Sequence, residues 1–368
     1  MDGMEKIVME EKMKKLVIVL SSLIGFALLS CGKQDPSPAP APGDASFNLV
    51  YSKNNDLVVA TFDGSHFINE RNLTNTPLAP SWKPSWSKSG GKIVYFEYVS
   101  GELPLLQTKN IANWKTKLRV INSDGTGVKD LTDGTYGAFN ATFLRDGSNR
   151  IIFIKMADPL TNAWETWMTT ADSEPGEEVK INDGAAMTSL IDGRIAFANT
   201  GNKIYLRNPE GVWQVVSMES PVFPASVWFT RMSMSPDETK ILFAADFSFY
   251  SGDYNALTFS GASDNIVGLS GDADSWDQKD CVLYVADFNK TTLKITNARI
   301  ISPRGNDFSY SDGYNRWSPE GKKIFFHSKR SGKFQMYLYD LEKQEGPTLI
   351  SEESESEYYF PCAENTPI

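Results

Sequence analysis

At 368 residues, with 41% hydrophobic and 22% charged residues, the chain is long enough for one large all-β domain or two ordinary domains, and wholesale disorder is excluded. A net charge of −10 without any block of Lys and Arg argues against nucleic-acid binding, and two His and three Cys are too few for a His- or Cys-based metal site. Aromatics at 12%, with 27 Gly and 19 Pro, point to aromatic strands punctuated by tight turns.

Residues 1–30 read as an export signal. Met13-Lys14-Lys15 is a basic start, and Leu16 to Leu29 is a short apolar run, about 14 residues and so short for a membrane span. The first twelve residues are too acidic for such a start, so Met13 is the expected initiator. The run closes Leu28-Leu29-Ser30-Cys31-Gly32, which resembles a bacterial lipobox, and the resemblance implies cleavage before Cys31 and lipidation of its sulfur. Residues 31–46 follow as a tether, in which Pro36, Pro38, Pro40 and Pro42 favour an extended polyproline path.

From residue 47 to 368 a repeat takes over. Its copies are Ser85-Trp86-Ser87-Lys88-Ser89-Gly90 into Ile93-Val94-Tyr95, Phe143-Leu144-Arg145-Asp146-Gly147 into Ile151-Ile152-Phe153, and Leu190-Ile191-Asp192-Gly193 into Ile195-Ala196-Phe197. Met234-Ser235-Pro236-Asp237-Glu238 into Ile241-Leu242-Phe243 and Trp317-Ser318-Pro319-Glu320-Gly321 into Ile324-Phe325-Phe326 complete the set. Each is a strand, a turn and a β-branched or aromatic strand, which is a hairpin signature. A second hairpin follows each copy, as in Leu118 to Gly125 with Leu131-Thr132, so each unit is expected to be a four-stranded sheet. The anchors 86, 143, 190, 234 and 317 leave one long gap, expected to hold an insertion at about 249–280, with a hidden seventh unit as the alternative. The first unit, starting at Asn48, lacks its first strand. Tyr358-Tyr359-Phe360-Pro361 is expected to supply it, with Pro361 taken as the counterpart of Pro319.

These copies, W-S-P-D-G-x-x-I-x-F followed by Asp-Gly and Leu-Thr, resemble the TolB-type WD40-like repeats known as PD40, over nearly all of residues 47–362. The resemblance implies an all-β, six-bladed β-propeller whose ring closes when the C-terminal strand joins the N-terminal blade. Such repeats occur in the periplasmic translocation protein TolB, in peptidases and in bacterial lipoproteins. TolB's separate α/β domain has no counterpart here, nor has the peptidases' hydrolase domain, so the fold alone transfers no function.

No nucleophile elbow, H-E-x-x-H, Walker loop or dinucleotide fingerprint is present. His327 closes a strand, and a packing role is expected for it; His66 falls in a turn. The insertion carries Asp272, Asp274 and Asp277, a weak calcium pattern that fails at Trp276 and lacks the glycine of such loops, so a solvated acidic loop and no cofactor are expected. Cys281 and Cys362 are either bridged or two thiols. Repeat phase brings the residues entering each first strand to the propeller's channel mouth: Trp82, Asn140, Arg231, Asn315 and Arg316, whose two Arg suit a carboxylate. Trp276 and Trp114 lie in longer connections and are further ligand candidates, whereas Trp167 reads as packing.

The expected function is a non-enzymatic, monomeric, lipid-anchored envelope protein, with a rim that docks a protein partner or glycan. Gly32, in place of an Asp after the lipid-bearing Cys, points to the outer membrane. The alternatives are a carbohydrate-active enzyme using a carboxylate pair about 5–10 Å apart in the channel, and an accessory subunit of an outer-membrane uptake system.

Overall fold

A computed structural model describes residues 46–76, 81–99, 115–158, 163–198, 203–219, 223, 227–246, 281–301, 312–328, 330–343, 345–351, 356 and 358–363. Cys31, the tether, Trp114, the acidic insertion and Trp276 lie outside them.

Every regular element among the described residues is a strand. The first group is β1 (Phe47–Lys53), β2 (Asp56–Phe62) and β3 (Phe67–Asn72); the second is β4 (Ser81–Trp86), β5 (Lys92–Tyr98), β6 (Thr116–Asn122) and β7 (Lys129–Asp130). Next come β8 (Ala138–Phe143), β9 (Arg150–Asp158), β10 (Ala163–Thr170) and β11 (Val179–Asp183), then β12 (Ala185–Ser189), β13 (Ile195–Ala198), β14 (Ile204–Arg207) and β15 (Trp213–Met218). The last are β16 (Trp228–Met234), β17 (Lys240–Asp246), β18 (Cys281–Asn289), β19 (Lys294–Ile300), β20 (Gly313–Trp317), β21 (Lys323–Ser328), β22 (Gln335–Asp340), β23 (Thr348–Leu349) and β24 (Tyr358–Ala363).

The fold is an all-β, propeller-like arrangement of antiparallel sheets. Four sheets have four strands: β24-β1-β2-β3, β4 to β7, β8 to β11 and β20 to β23. Separate fourth and fifth units were expected, but their outer strands β15 and β19 pair in parallel, through Ser217 with Lys294 and Met218 with Ile295, to give one eight-stranded sheet. The first sheet is built from both chain ends, with β24 antiparallel to β1. First strands touch in succession: β24 with β4, β4 with β8, β12 with β16, β16 with β20, and β20 with β24. Apolar clusters fill the spaces between sheets, such as Leu242, Val285, Trp317, Ile324 and Phe326.

The repeated residues each close a hydrogen-bond deficit. Ser87, Ser235 and Ser318 accept, through Oγ, the backbone N–H of Lys92, Lys240 and Lys323 across the hairpin turn. Thr74 and Thr132 accept the N–H of Leu57 and Leu118 at the end of the outer strand. The indoles of Trp86 and Trp317 reach the first strand of the preceding sheet and donate to the carbonyls of Cys362 and Ser233, at 3.0 and 3.1 Å.

Two repeat phases need correction. Trp86, Phe143, Met234 and Trp317 pair with Ile93, Ile151, Ile241 and Ile324; in the fourth unit it is Ser189 that pairs with Ile195, so Leu190 is one residue late as an anchor. In β24, Phe360-Pro361 form a bulge opposite Tyr51, between the pairs Val50–Cys362 and Ser52–Tyr359. Pro361 is thus a bulge residue, not the counterpart of Pro319 in its turn. Cys362 is buried among Val50, Trp86 and Ile93, and Cys281 opens β18 in a different sheet.

Candidate functional site

Four first strands carry the same backbone irregularity. In β4, β8, β16 and β20 two residues oppose one on the neighbouring strand: Lys83-Pro84, Asn140-Ala141, Arg231-Met232 and Tyr314-Asn315. The first of each pair is left-handed, with φ of 53°, 51°, 51° and 51°. This is a bulge of the kind that normally calls for glycine, and an L-residue other than Asn or Asp costs about 1–2 kcal/mol there. All four lie three residues before the anchors Trp86, Phe143, Met234 and Trp317. The second bulge residues, Pro84, Ala141, Met232 and Asn315, are buried between sheets.

The four left-handed side chains meet. Lys83 Nζ donates to Asn140 Oδ1 at 2.6 Å and stands 4.4 Å from the ring centroid of Tyr314. The Arg231 guanidinium lies 4.5 Å from the same centroid. Three sheets thus meet at one aromatic ring. Gly313 makes room for this: a Cβ there would sit 3.2 Å from His327 Nε2 and 3.3 Å from Arg231 Nη1. His327 is buried and packs edge-on against Tyr314 at 5.1 Å, as a core histidine. The half-buried Arg316 donates to the carbonyl of Asn315 at 3.0 Å, and its charge is felt at Lys83.

Burial drives the Lys83 amine below the ordinary lysine value, and Arg231 and Arg316 push the same way against the opposing pull of Tyr314. Burial alone would raise Tyr314, but the positive charges of Lys83 and Arg231 outweigh it and hold the phenol below its ordinary 10.0. Nearby Tyr98 is raised by burial, and Tyr95 is pushed up to about 12 for the same reason. An alkaline titration followed by phenolate absorbance is therefore expected to show one tyrosine ionising below 10, and Lys83→Met to move that tyrosine upward. A profile in which no tyrosine ionises early contradicts this electrostatic reading.

Of the expected channel residues, Asn140 and Arg231 are in the cluster and Arg316 borders it. Asn315 is not. Trp82 is buried against Phe96, Tyr98 and Phe139, in an apolar cluster on which Tyr314 itself packs, so it borders the group too. Asn315 fills the slot that holds Pro84, Ala141 and Met232 elsewhere, is 0% exposed, and neither amide atom finds a hydrogen bond. Trp82 and Asn315 each stand one residue from a left-handed bulge position, and those positions, Lys83 and Tyr314, were missed. Superposing the copies on their anchors and reading back three residues would have found both. Trp167 packs as expected, with Lys155 Nζ 4.3 Å from its ring centroid. Among the described residues no group of three or more His, Cys, Asp or Glu could hold a metal ion.

No protein-family model and no curated protein sequence matches the chain. Solved structures do. TolB from Acinetobacter baumannii is 14% identical with a TM-score of 0.57, over 89% of this chain and 68% of that one. A chain of a nidogen/laminin complex is 6% identical, TM-score 0.55, over 87% of this chain and 98% of that one. Hydrazine synthase from Kuenenia stuttgartiensis is 12% identical, TM-score 0.53, over 89% of this chain and 48% of that one. At these identities the likeness establishes a TolB-like propeller fold, shared by an enzyme and by a member of a protein–protein complex.

Proposed function

We propose that the chain is an exported envelope protein, anchored by a lipid on Cys31, whose six-bladed ring closes through β24 and binds a protein partner without catalysing a reaction. Six first strands, β24, β4, β8, β12, β16 and β20, one per unit, support the six blades. The observation that carries the function is the meeting of Lys83, Arg231 and Arg316 from three sheets, in a chain whose net charge is −10. Cations gathered in a partly dehydrated centre project a strong local field that selects acidic groups on a partner. The glycosidase alternative needs a pair of carboxylates, and the described residues that meet here are Lys, Arg, Asn and Tyr instead.

The test is a crosslinking pull-down of the full-length lipidated protein from its native envelope, read by mass spectrometry. One stoichiometric partner is expected, depleted more than about tenfold when Arg231→Glu and Arg316→Glu are combined. Recovery of no partner, or equal recovery with the double variant, overturns the reading.

A further inference from the structure

The apolar packing between the first two sheets, Val50, Val59, Trp86 and Ile93, gives way to polar groups at the end where the β4–β5 turn lies. A cavity of about 310 Å³ opens there, lined by Asn48, Thr61, Asn69 and Arg71 of the first sheet and by Trp86 and Asp124 of the second. That is the size of a small-ligand site. A bulge shapes it. In β3, Asn69 and Glu70 together oppose Ala60, between the pairs Thr61–Ile68 and Val59–Arg71, and Asn69 is left-handed at φ 57°. Glu70 bonds Tyr51 and Lys53, and Tyr51 belongs to the cluster shared with the last sheet. Asn69 instead stands exposed at the cavity, and its amide makes no hydrogen bond among the described residues. The walls are fixed. Arg71 Nη1 and Nη2 donate to the carbonyls of Asp124 and Ser123 at 2.6 and 2.7 Å, which ties β3 to the β6–β7 turn. Thr61 Oγ1 donates to Asn48 Oδ1 at 3.2 Å, so its oxygen is left to accept.

Among the described lining residues the one cation, Arg71, and the one anion, Asp124, cancel, and the rest are neutral. An ion therefore gains no net attraction here and loses its hydration. The amides, the hydroxyl and the carboxylate offer donors and acceptors together, and Val59 and Trp86 add buried apolar surface. A sugar ring matches this set, because each of its hydroxyls both donates and accepts while its ring carbons present an apolar face. We propose that the cavity between the first and second sheets binds a neutral sugar, with Asn69, Thr61 and Asp124 hydrogen-bonding its hydroxyls. The sugar is either free or the end of an envelope glycan. The site is separate from the Lys83–Arg231 cluster and goes beyond the docking reading, so it stands or falls without a protein partner.

Saturation-transfer NMR on the full-length protein tests this with glucose, N-acetylglucosamine and their β-1,4-linked disaccharides at about 10 mM, a concentration that reveals a millimolar site. Glucuronate and glucosamine are the charged controls. A neutral probe is expected to bind, and the charged controls to bind more weakly. Binding of a monosaccharide as tight as that of its disaccharide identifies a free sugar, and tighter binding of the disaccharide identifies a glycan end. Asn69→Gly separates a ligand contact from a structural role, because glycine is the residue that such a bulge favours and only the amide is lost. This variant is expected to melt like the parent and to bind about tenfold more weakly, the loss of one good hydrogen bond, and Thr61→Val to weaken binding comparably. The proposal is overturned if no neutral probe binds, if the charged controls bind as tightly, or if both variants, folded by circular dichroism, bind like the parent. The last result would leave Asn69 a bulge residue and nothing more.

Discussion

A chain ending at Ser351 is expected to lose the cooperative thermal transition of the full-length protein. Strand β24 is the first strand of a sheet whose other three strands lie some 300 residues earlier, and it pairs with β1 through Leu49–Ala363, Val50–Cys362, Ser52–Tyr359 and Lys53–Tyr358. Tyr358, 2% exposed, sits among Leu49, Tyr51, Phe62, Phe325 and Met336, so it joins the first sheet to the last. Cys362 packs on the other face with Val50, Trp86 and Ile93, and its carbonyl takes the Trp86 indole. Loss of one large buried aromatic costs about 3–5 kcal/mol. A buried indole left without its acceptor costs about 1–3 kcal/mol more. With the strand's ladder and the exposed edge of β1 added, the loss is comparable to the whole stability of an ordinary domain, about 5–15 kcal/mol. Near-ultraviolet circular dichroism on heating checks it, and a synthetic peptide covering residues 352–368 is expected to restore the transition in proportion to its concentration. A truncated chain that melts like the parent would show that β24 closes nothing.

How much of this was written in the repeat depends on what each repeated residue does. Trp, Ser and Thr recur because each satisfies one polar group at the same place in the units that carry it: an indole to the preceding sheet, a hydroxyl across the turn, a hydroxyl at the outer strand. Their spacing therefore reports the fold faithfully. Proline does not. Pro319 serves the turn, whereas Pro84 and Pro361 take the second position of a bulge, so matching Pro361 to Pro319 placed β24 correctly but slid its phase. The parallel pairing of β15 with β19 rests on two residue pairs at strand ends and leaves no periodic trace.

The central cluster was half legible for a related reason. Strand alternation has a period of two, and a bulge shifts that period by one residue. Counting inward from a strand's start therefore landed on Trp82 and Asn315, one residue off the left-handed position, rather than on Lys83 and Tyr314. Asn140 and Arg231 were found because the count met the bulge in phase. The residue types gave no warning, since a left-handed Lys, Arg or Tyr has no signature of its own. The anchors are the better ruler: the Trp-type residues after the bulge are fixed by pairing to an isoleucine in every copy.

Glu238 shows the same logic in the turn, and it carries the second large expected effect. Gly90, Gly147, Gly193 and Gly321 turn the other copies with φ of 71°, 80°, 84° and 72°; Glu238 does so at 59°, where an L-residue is strained by about 1–2 kcal/mol. Its carboxylate explains the exception. It is 0% exposed and accepts from the Ile191 N–H at 2.5 Å and from Lys290 Nζ at 2.9 Å, with Arg145 Nη1 at 3.7 Å. Lys290 is half-exposed and contributes little, so the weight falls on Arg145, a largely buried guanidinium in the β8–β9 turn. Glu238→Ala leaves the Ile191 N–H without its acceptor and takes a charge away from Arg145, whose Nη2 keeps the Ser235 and Pro236 carbonyls, and is expected to cost about 2–3 kcal/mol. Glu238→Gly removes the same interactions but relieves the backbone, so it should lie about 1 kcal/mol above the alanine variant. Urea midpoints of the two variants and the parent measure both terms. Equal midpoints for alanine and glycine would show that the left-handed turn stores no strain. An alanine variant as stable as the parent would show that the carboxylate holds the three turns together no better than water does.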